Sequence, residues 1–225
     1  MIRNNRKLKM TVSEKILLIF LTVILVFFII FFLRISNKCL LIKSLDEEIL
    51  NKYKNEKIII LEAPCGKVAI KLFIQEAPLN TKQVLNLIKK QEYDNSFFYR
   101  VKKNKLVEFG DLKFGKKNNL DYLRIGTGGS SLKNNISELS SSYSFKRGSV
   151  GMVKRGKFDT ENSQIFILLD TIPSFDGQYT PIGEVVGGIE ILDKIKYSNN
   201  NIEFVLRPDY VKKIYVHNFN CIYWG

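Results

Sequence analysis

Three short segments hold the residues best placed to do chemistry: Phe98-Tyr99-Arg100-Val101, Phe109-Gly110-Asp111 and, about fifty residues further on, Ser163-Gln164-Ile165-Phe166-Ile167. Each sets one or two polar groups among apolar neighbours, so together they offer a fixed cation and an amide beside an apolar pocket. Nucleophilic or metal chemistry has little to be built from. There is one histidine, His217, and the three cysteines Cys39, Cys65 and Cys221 show no CxxC spacing. A histidine triad, a zinc site and an even disulfide framework are therefore not expected. No cofactor and no metal is called for, and Cys39 reads as an idle thiol.

The elements that must position these residues begin near residue 57. Residues 58–62 form a β-branched run, Pro64-Cys65-Gly66-Lys67 is a turn signal, and residues 68–72 alternate, which predicts a hairpin. Asn80 followed by Gln83 suggests an N-cap with its reciprocal partner, and Val84, Leu85 and Ile88 then supply the buried stripe of a short helix. Ile189, Leu192 and Ile195 repeat that spacing after Gly187-Gly188. Short strands are expected at 98–101, 149–153, 165–168, 182–186 and 211–224. Many short strands with two helices predict a mainly β fold, a closed barrel of about eight antiparallel strands with two capping helices.

Ahead of this domain, residues 16–33 carry no charge, and as a helix rising ~1.5 Å per residue they nearly cross a ~30 Å hydrocarbon core. The segment has no polar face, and the residues after it lack the small-x-small pattern of a cleavage site. The expected organisation is a basic tail at 1–15, a transmembrane signal anchor at 16–35 in contact with membrane lipid, a charged stalk at 36–56 and a domain at 57–225. Arg3, Arg6, Lys7, Lys9 and Lys15 precede the span, against Arg34, Lys38 and Lys43 after it. That excess orients the N-terminus to the cytoplasm and the domain to a lumen, endoplasmic reticulum or Golgi, or to a periplasm in a bacterium. Asn135-Ile136-Ser137 is then a glycosylation sequon. The net charge is +13, of which residues 1–44 hold +7. The remainder is only mildly basic and has no arginine and aromatic stripe, so no nucleic-acid partner is expected.

In their order and spacing the three segments resemble the FHRV, QGGD and SQFFI signatures of the cyclophilin family, and the resemblance runs from about residue 57 to the C-terminus. It implies a peptidyl-prolyl cis-trans isomerase acting on proline-containing polypeptides. Amide resonance sets a barrier near ~20 kcal/mol to rotation about such a bond. A catalyst lowers it by binding the twisted state more tightly, with a fixed donor at the prolyl nitrogen and an apolar pocket for the ring. Arginine suits the donor role because its rigid guanidinium stays charged.

By the same resemblance Arg100 is the donor and Gln164 and Glu108 complete the catalytic group. Leu106, Met152, Phe166 and Phe175 line the proline pocket, and Val153 and Lys154 hold the peptide. Gly126 opens a Gly126-Thr127-Gly128-Gly129 loop beside it, and Tyr179 stands where histidine is common. Glu108 departs from the family, which has glutamine there, and an ionised glutamate cannot donate. Lys105 takes the place of a pocket phenylalanine, Phe109 that of a glycine, and Ser174 that of the tryptophan that contacts cyclosporin. Residues 112–125 read as a surface insertion. These departures keep two alternatives open: a proline-peptide binding module without turnover, and a membrane scaffold that uses the insertion.

Overall fold

The computed structural model describes residues 11–36, 39, 45–198 and 204–219. Most of the basic tail, Lys38 and Lys43 of the expected stalk, Cys221 and the end of the expected last strand lie outside them. The chain divides into two units, Met1–Leu41 and Ile42–Gly225. Cys39 and Cys65 are both disulfide-bonded, which corrects the reading of Cys39 as an idle thiol.

Among the described residues the first unit contains one helix, α1 (Val12–Ser36). It starts four residues before the expected span because Thr11 and Glu14 form a capping box: the Thr11 amide donates to Glu14 Oε2 at 2.7 Å and the Glu14 amide to Thr11 Oγ1 at 3.3 Å. Val12–Leu33 is long and apolar enough to cross a membrane. Its one central hydroxyl, on Thr22, donates back to the Ile19 carbonyl at 2.7 Å and so adds no unmet polar group to the apolar surface.

The second unit begins with the short helix α2 (Glu47–Asn51), N-capped by Asp46, whose carboxylate accepts from the Glu48 amide. Leu45, Leu50 and Tyr53 of the expected stalk pack on Ile58, Ile60 and Ala69, so this part of the stalk is built into the domain. The elements that follow are β1 (Ile58–Ala63), β2 (Gly66–Leu72), α3 (Pro78–Lys89), β3 (Arg100–Lys102), β4 (Leu106–Phe109), β5 (Gly115–Lys116), β6 (Asn119–Leu120), β7 (Ser149–Met152), β8 (Ile165–Leu168), a 3-10 turn at Pro173–Phe175, β9 (Pro181–Gly187), α4 (Ile189–Leu192) and β10 (Lys213–Val216). Because α2 covers the outer side of β1, that strand is buried on both faces, which is why its sequence is a continuous apolar run.

Eight strands form one antiparallel sheet in the order β10-β1-β2-β9-β7-β8-β4-β3. The sheet curls but does not close, a correction to the expected barrel: β3 and β10 are its outermost strands. Residues 204–211 cross the gap with isolated bonds, Val205 N to Tyr99 O at 3.1 Å, Phe98 N to Asp209 O at 2.9 Å and Val211 N to Ser96 O at 2.8 Å. A continuous ladder is prevented there by Pro208, which has no N–H, and by Arg207, whose φ of +53° breaks the extended backbone.

The helices are also corrected. The second of the expected capping pair, α4, is a single turn of four residues. The first, α3, starts at Pro78 rather than after Asn80, and its cap comes from far away in the chain. The Glu138 carboxylate accepts from the Leu79 and Asn80 amides, both at 2.9 Å, and from Asn80 Nδ2 at 2.8 Å. An anion at a helix N-terminus meets both the unpaired N–H groups and the positive end of the dipole. Gln83 donates to the Asn162 carbonyl instead of folding back. Asn135 of the sequon donates its amide to the Leu79 carbonyl at 3.2 Å, and Ser137 its hydroxyl to buried Glu161, so both ends of the triplet are engaged in the fold.

Candidate active site

Strand register assembles the site. Arg100 on β3 lies opposite Glu108 on β4, Glu108 opposite Phe166 on β8, and Phe166 opposite Gly151 on β7. Residues directly opposite in a sheet point to the same face, so these four form one transverse row. Their neighbours Val101, Val107, Phe109, Ile165, Ile167, Val150 and Met152 point the other way, into the main core. Met152 is therefore a core residue and not part of the expected proline pocket. It is one residue out of phase with Gly151, the residue facing Phe166.

Phe166 is held by rings on several sides. Its centroid lies 5.3 Å from Phe175 and 5.3 Å from Tyr179, both nearly perpendicular, and 5.7 Å from Phe145. Leu106 and Leu168 pack beneath, and Val153 beside. Phe175 and Tyr179 are half-buried, so the cluster opens to solvent on their side. The ring of Phe166 has room only because residue 151 is glycine: a Cβ there would fall 2.3 Å from Phe166 Cζ and 2.8 Å from Cε1. Gly151→Ala is expected to destabilise the domain by about 1–3 kcal/mol, the usual range for overpacking a filled site. It should also rotate Phe166 out of place. Chemical denaturation, with the change in ring environment followed by NMR, checks both.

The polar half of the site is a network around Tyr99. Its hydroxyl lies 2.9 Å from Gln164 Oε1 and 3.3 Å from Glu108 Oε2. Burial, reinforced by the Glu108 and Asp111 carboxylates, pushes the Tyr99 phenol well above its ordinary pKa, so it remains a donor. The Tyr179 phenol is raised too, by burial first and then by Glu108. Glu108 Oε1 pairs with Arg100 Nη1. The Glu108 side chain is 8% exposed and that of Arg100 30%, so the pair is open to solvent mainly from the arginine side.

Gln164 uses both ends of its amide within the protein, accepting from Tyr99 and donating to the Gly126 and Gly128 carbonyls. Buried Asp111 completes that loop, one oxygen accepting from the Lys113 and Phe114 amides and the other from Gly126 at 2.7 Å and Gly128 at 3.0 Å. Gly126 has φ +87° and sits against Tyr99 and Phe204, where a Cβ would lie 3.3 and 3.2 Å from the two rings. The expected insertion contains the β5–β6 hairpin and, through Leu120 and Ile125, packs on Phe97 and Tyr99.

The outer rim is basic. Lys154 Nζ lies 3.7 Å from the centroid of Phe158 and 5.0 Å from that of Tyr179. Exposed Arg155 reaches across to the Thr127 carbonyl. The Val153 amide is already donated to the Gln164 carbonyl. Lys105 and Ser174 are exposed.

Residues 58–216 match the family described as cyclophilin type peptidyl-prolyl cis-trans isomerase/CLD. The chain belongs to that family. A probable peptidyl-prolyl cis-trans isomerase of Brucella suis is 38% identical over 142 residues, 63% of this chain and 72% of that protein. A peptidyl-prolyl cis-trans isomerase of Helicobacter pylori is 31% identical over 133 residues, 58% of this chain and 75% of that one. Among solved structures, a cyclophilin-type isomerase of Cryptosporidium parvum superposes with a TM-score of 0.62 at 22% identity, covering 72% of this chain and 98% of that one, which shows the shared fold.

In this cyclophilin the contributors to the site that had not been anticipated include, besides Tyr99 and Gly151, three more. Phe145 reaches the aromatic cluster from a loop, Phe204 stacks on Tyr99 at 6.4 Å, and Arg155 joins the rim. Of these three only Arg155 had a signal in the sequence, its adjacency to Lys154. Phe145 and Phe204 arrive by tertiary contact from segments without periodicity.

Proposed function

We propose that this cyclophilin is a membrane-tethered peptidyl-prolyl isomerase that assists folding of client polypeptides, with turnover held down by Glu108. The observation that carries the reading is the row in which the Arg100 guanidinium and the Phe166 ring share one face, separated by the width of one strand. A prolyl ring seated against Phe166, Phe175, Tyr179 and Leu106 brings its nitrogen toward Arg100. There a charged donor stabilises the lone pair as it leaves conjugation, and the apolar wall holds the ring while the preceding carbonyl turns. No bond to carbon or nitrogen is made or broken. A further support is that a Cryptosporidium parvum cyclophilin, 21% identical to this chain with a TM-score of 0.61, has been solved in the presence of the dipeptide Ala-Pro.

The pairing of Arg100 with Glu108 favours a second reading, a proline-peptide receptor without turnover. NMR exchange between cis and trans forms of an Ala-Pro peptide, with the full chain in detergent, separates them. Exchange faster than the uncatalysed rate is expected. Bound peptide exchanging at the uncatalysed rate would establish the receptor.

The anchor and its orientation rest on α1 and on the excess of basic residues before it. With the tail in the cytoplasm, protease added to sealed vesicles should leave the domain protected. Digestion of the domain under those conditions would reverse the topology.

A further inference from the structure

We infer that this site selects proline segments carrying an aspartate or glutamate within two residues of the proline; the inference rests on the proposed proline-binding role. Next to the aromatic pocket is a separate recess of about 460 Å³. It shares Arg100 and Glu108 with the catalytic row, has Tyr99 and Phe204 as an apolar wall, and has Lys154 and Arg155 on its lip. Among the described residues its lining carries three cations, Arg100, Lys154 and Arg155, and one acid, Glu108, which pairs with Arg100.

Among the described residues the two lip cations are positioned without an acidic partner. Arg155 Nη1 donates to the Thr127 carbonyl at 2.9 Å and Nη2 approaches Asn134 Oδ1 at 3.4 Å, both uncharged acceptors, and its backbone amide is fixed by Thr160 Oγ1 at 2.8 Å. Lys154 rests its ammonium on the Phe158 and Tyr179 rings. Tyr179 is itself a wall of the proline pocket, so Lys154 stands between pocket and recess. An extended peptide advances about 3.3–3.6 Å per residue. With its proline on Phe166, a residue one or two positions away is therefore within reach of a lip whose ammonium lies 5.0 Å from Tyr179. A carboxylate suits that place, since it can accept from an ammonium and from the free edge of a guanidinium, and the apolar wall beneath limits screening. A lysine there would meet two like charges.

The test is a panel of proline peptides with Glu, Gln or Lys placed in turn at each of the two positions on either side of the proline. Binding is measured by titration and exchange by NMR, using the full chain in detergent. At one or more positions the Glu peptide is expected to bind at least about tenfold tighter than its Gln counterpart, with the Lys peptide weakest and the advantage falling as salt is raised. In Lys154→Gln with Arg155→Gln the Glu to Gln ratio should collapse toward one. Equal affinity for Glu and Gln at every position overturns the inference, as does a ratio that survives the double substitution. Failure of the isomerase reading looks different: peptides that bind with the Glu preference but do not exchange faster leave the selectivity standing and remove the turnover. Absence of binding by every peptide removes both.

Discussion

Arg100→Ala is expected to lower catalysed exchange of an Ala-Pro peptide about 10²–10³-fold, the loss found when a single preorganised donor is taken from a charge-stabilising site. Peptide affinity should fall much less, because Phe166, Phe175, Tyr179 and Leu106 supply the ground-state contact. The substitution has a second consequence. It removes a cation from Glu108, whose side chain is 8% exposed, and a buried carboxylate without its partner is destabilising. Arg100→Ala combined with Glu108→Gln relieves that charge. Exchange lost equally in the single and double variants, with the double variant unfolding like the parent, assigns the loss to the missing donor. Recovery of the rate in the double variant would show that Arg100 is not the donor.

Glu108→Gln is expected to raise turnover about five- to tenfold. The guanidinium now engages a carboxylate, and a charge-assisted bond is roughly twice as strong as one to a neutral acceptor. Replacing the carboxylate by an amide of the same shape weakens the hold on Arg100 by about 1 kcal/mol, which translates into that rate factor if the arginine must turn toward the prolyl nitrogen. The new amide also brings an N–H donor where the carboxylate could only accept. Tyr99 keeps its bond to Gln164, so the network around the glycine loop should persist. Exchange NMR of the variant beside the parent measures the change. An unaltered rate would mean that the ion pair does not limit the arginine.

Parts of this architecture were legible in local pattern. The hairpin of β1 and β2, the strands β7, β8 and β9 and the apolar α1 follow from alternation, turn residues and uninterrupted hydrophobicity. The start of α3 was misread because Asn80 and Gln83 imitate a local cap, whereas the anion that serves the helix is Glu138, 58 residues beyond Asn80 in the chain. The stalk was misread because its three anchoring residues, Leu45, Leu50 and Tyr53, are too few to make a periodic stripe, although the outer face of β1 gives them a partner.

By itself the sequence determined which residues could serve the reaction: an arginine in an apolar strand, a glutamine two residues before a phenylalanine, a glutamate where a donor is expected, and a glycine loop. Only the tertiary structure decided which of them meet. Register across β3, β4, β8 and β7 put Arg100, Glu108, Phe166 and Gly151 in one row and turned Met152 into the core. A slip of one residue in any of those pairings would send every side chain of the slipped strand to the other face. Register is a property of the whole sheet, of its turns and of what packs on both sides, and no window of a single strand contains it. The same holds for Phe204 and Phe145, which complete the recess and the pocket from segments whose own sequence carries no sign of where they will land.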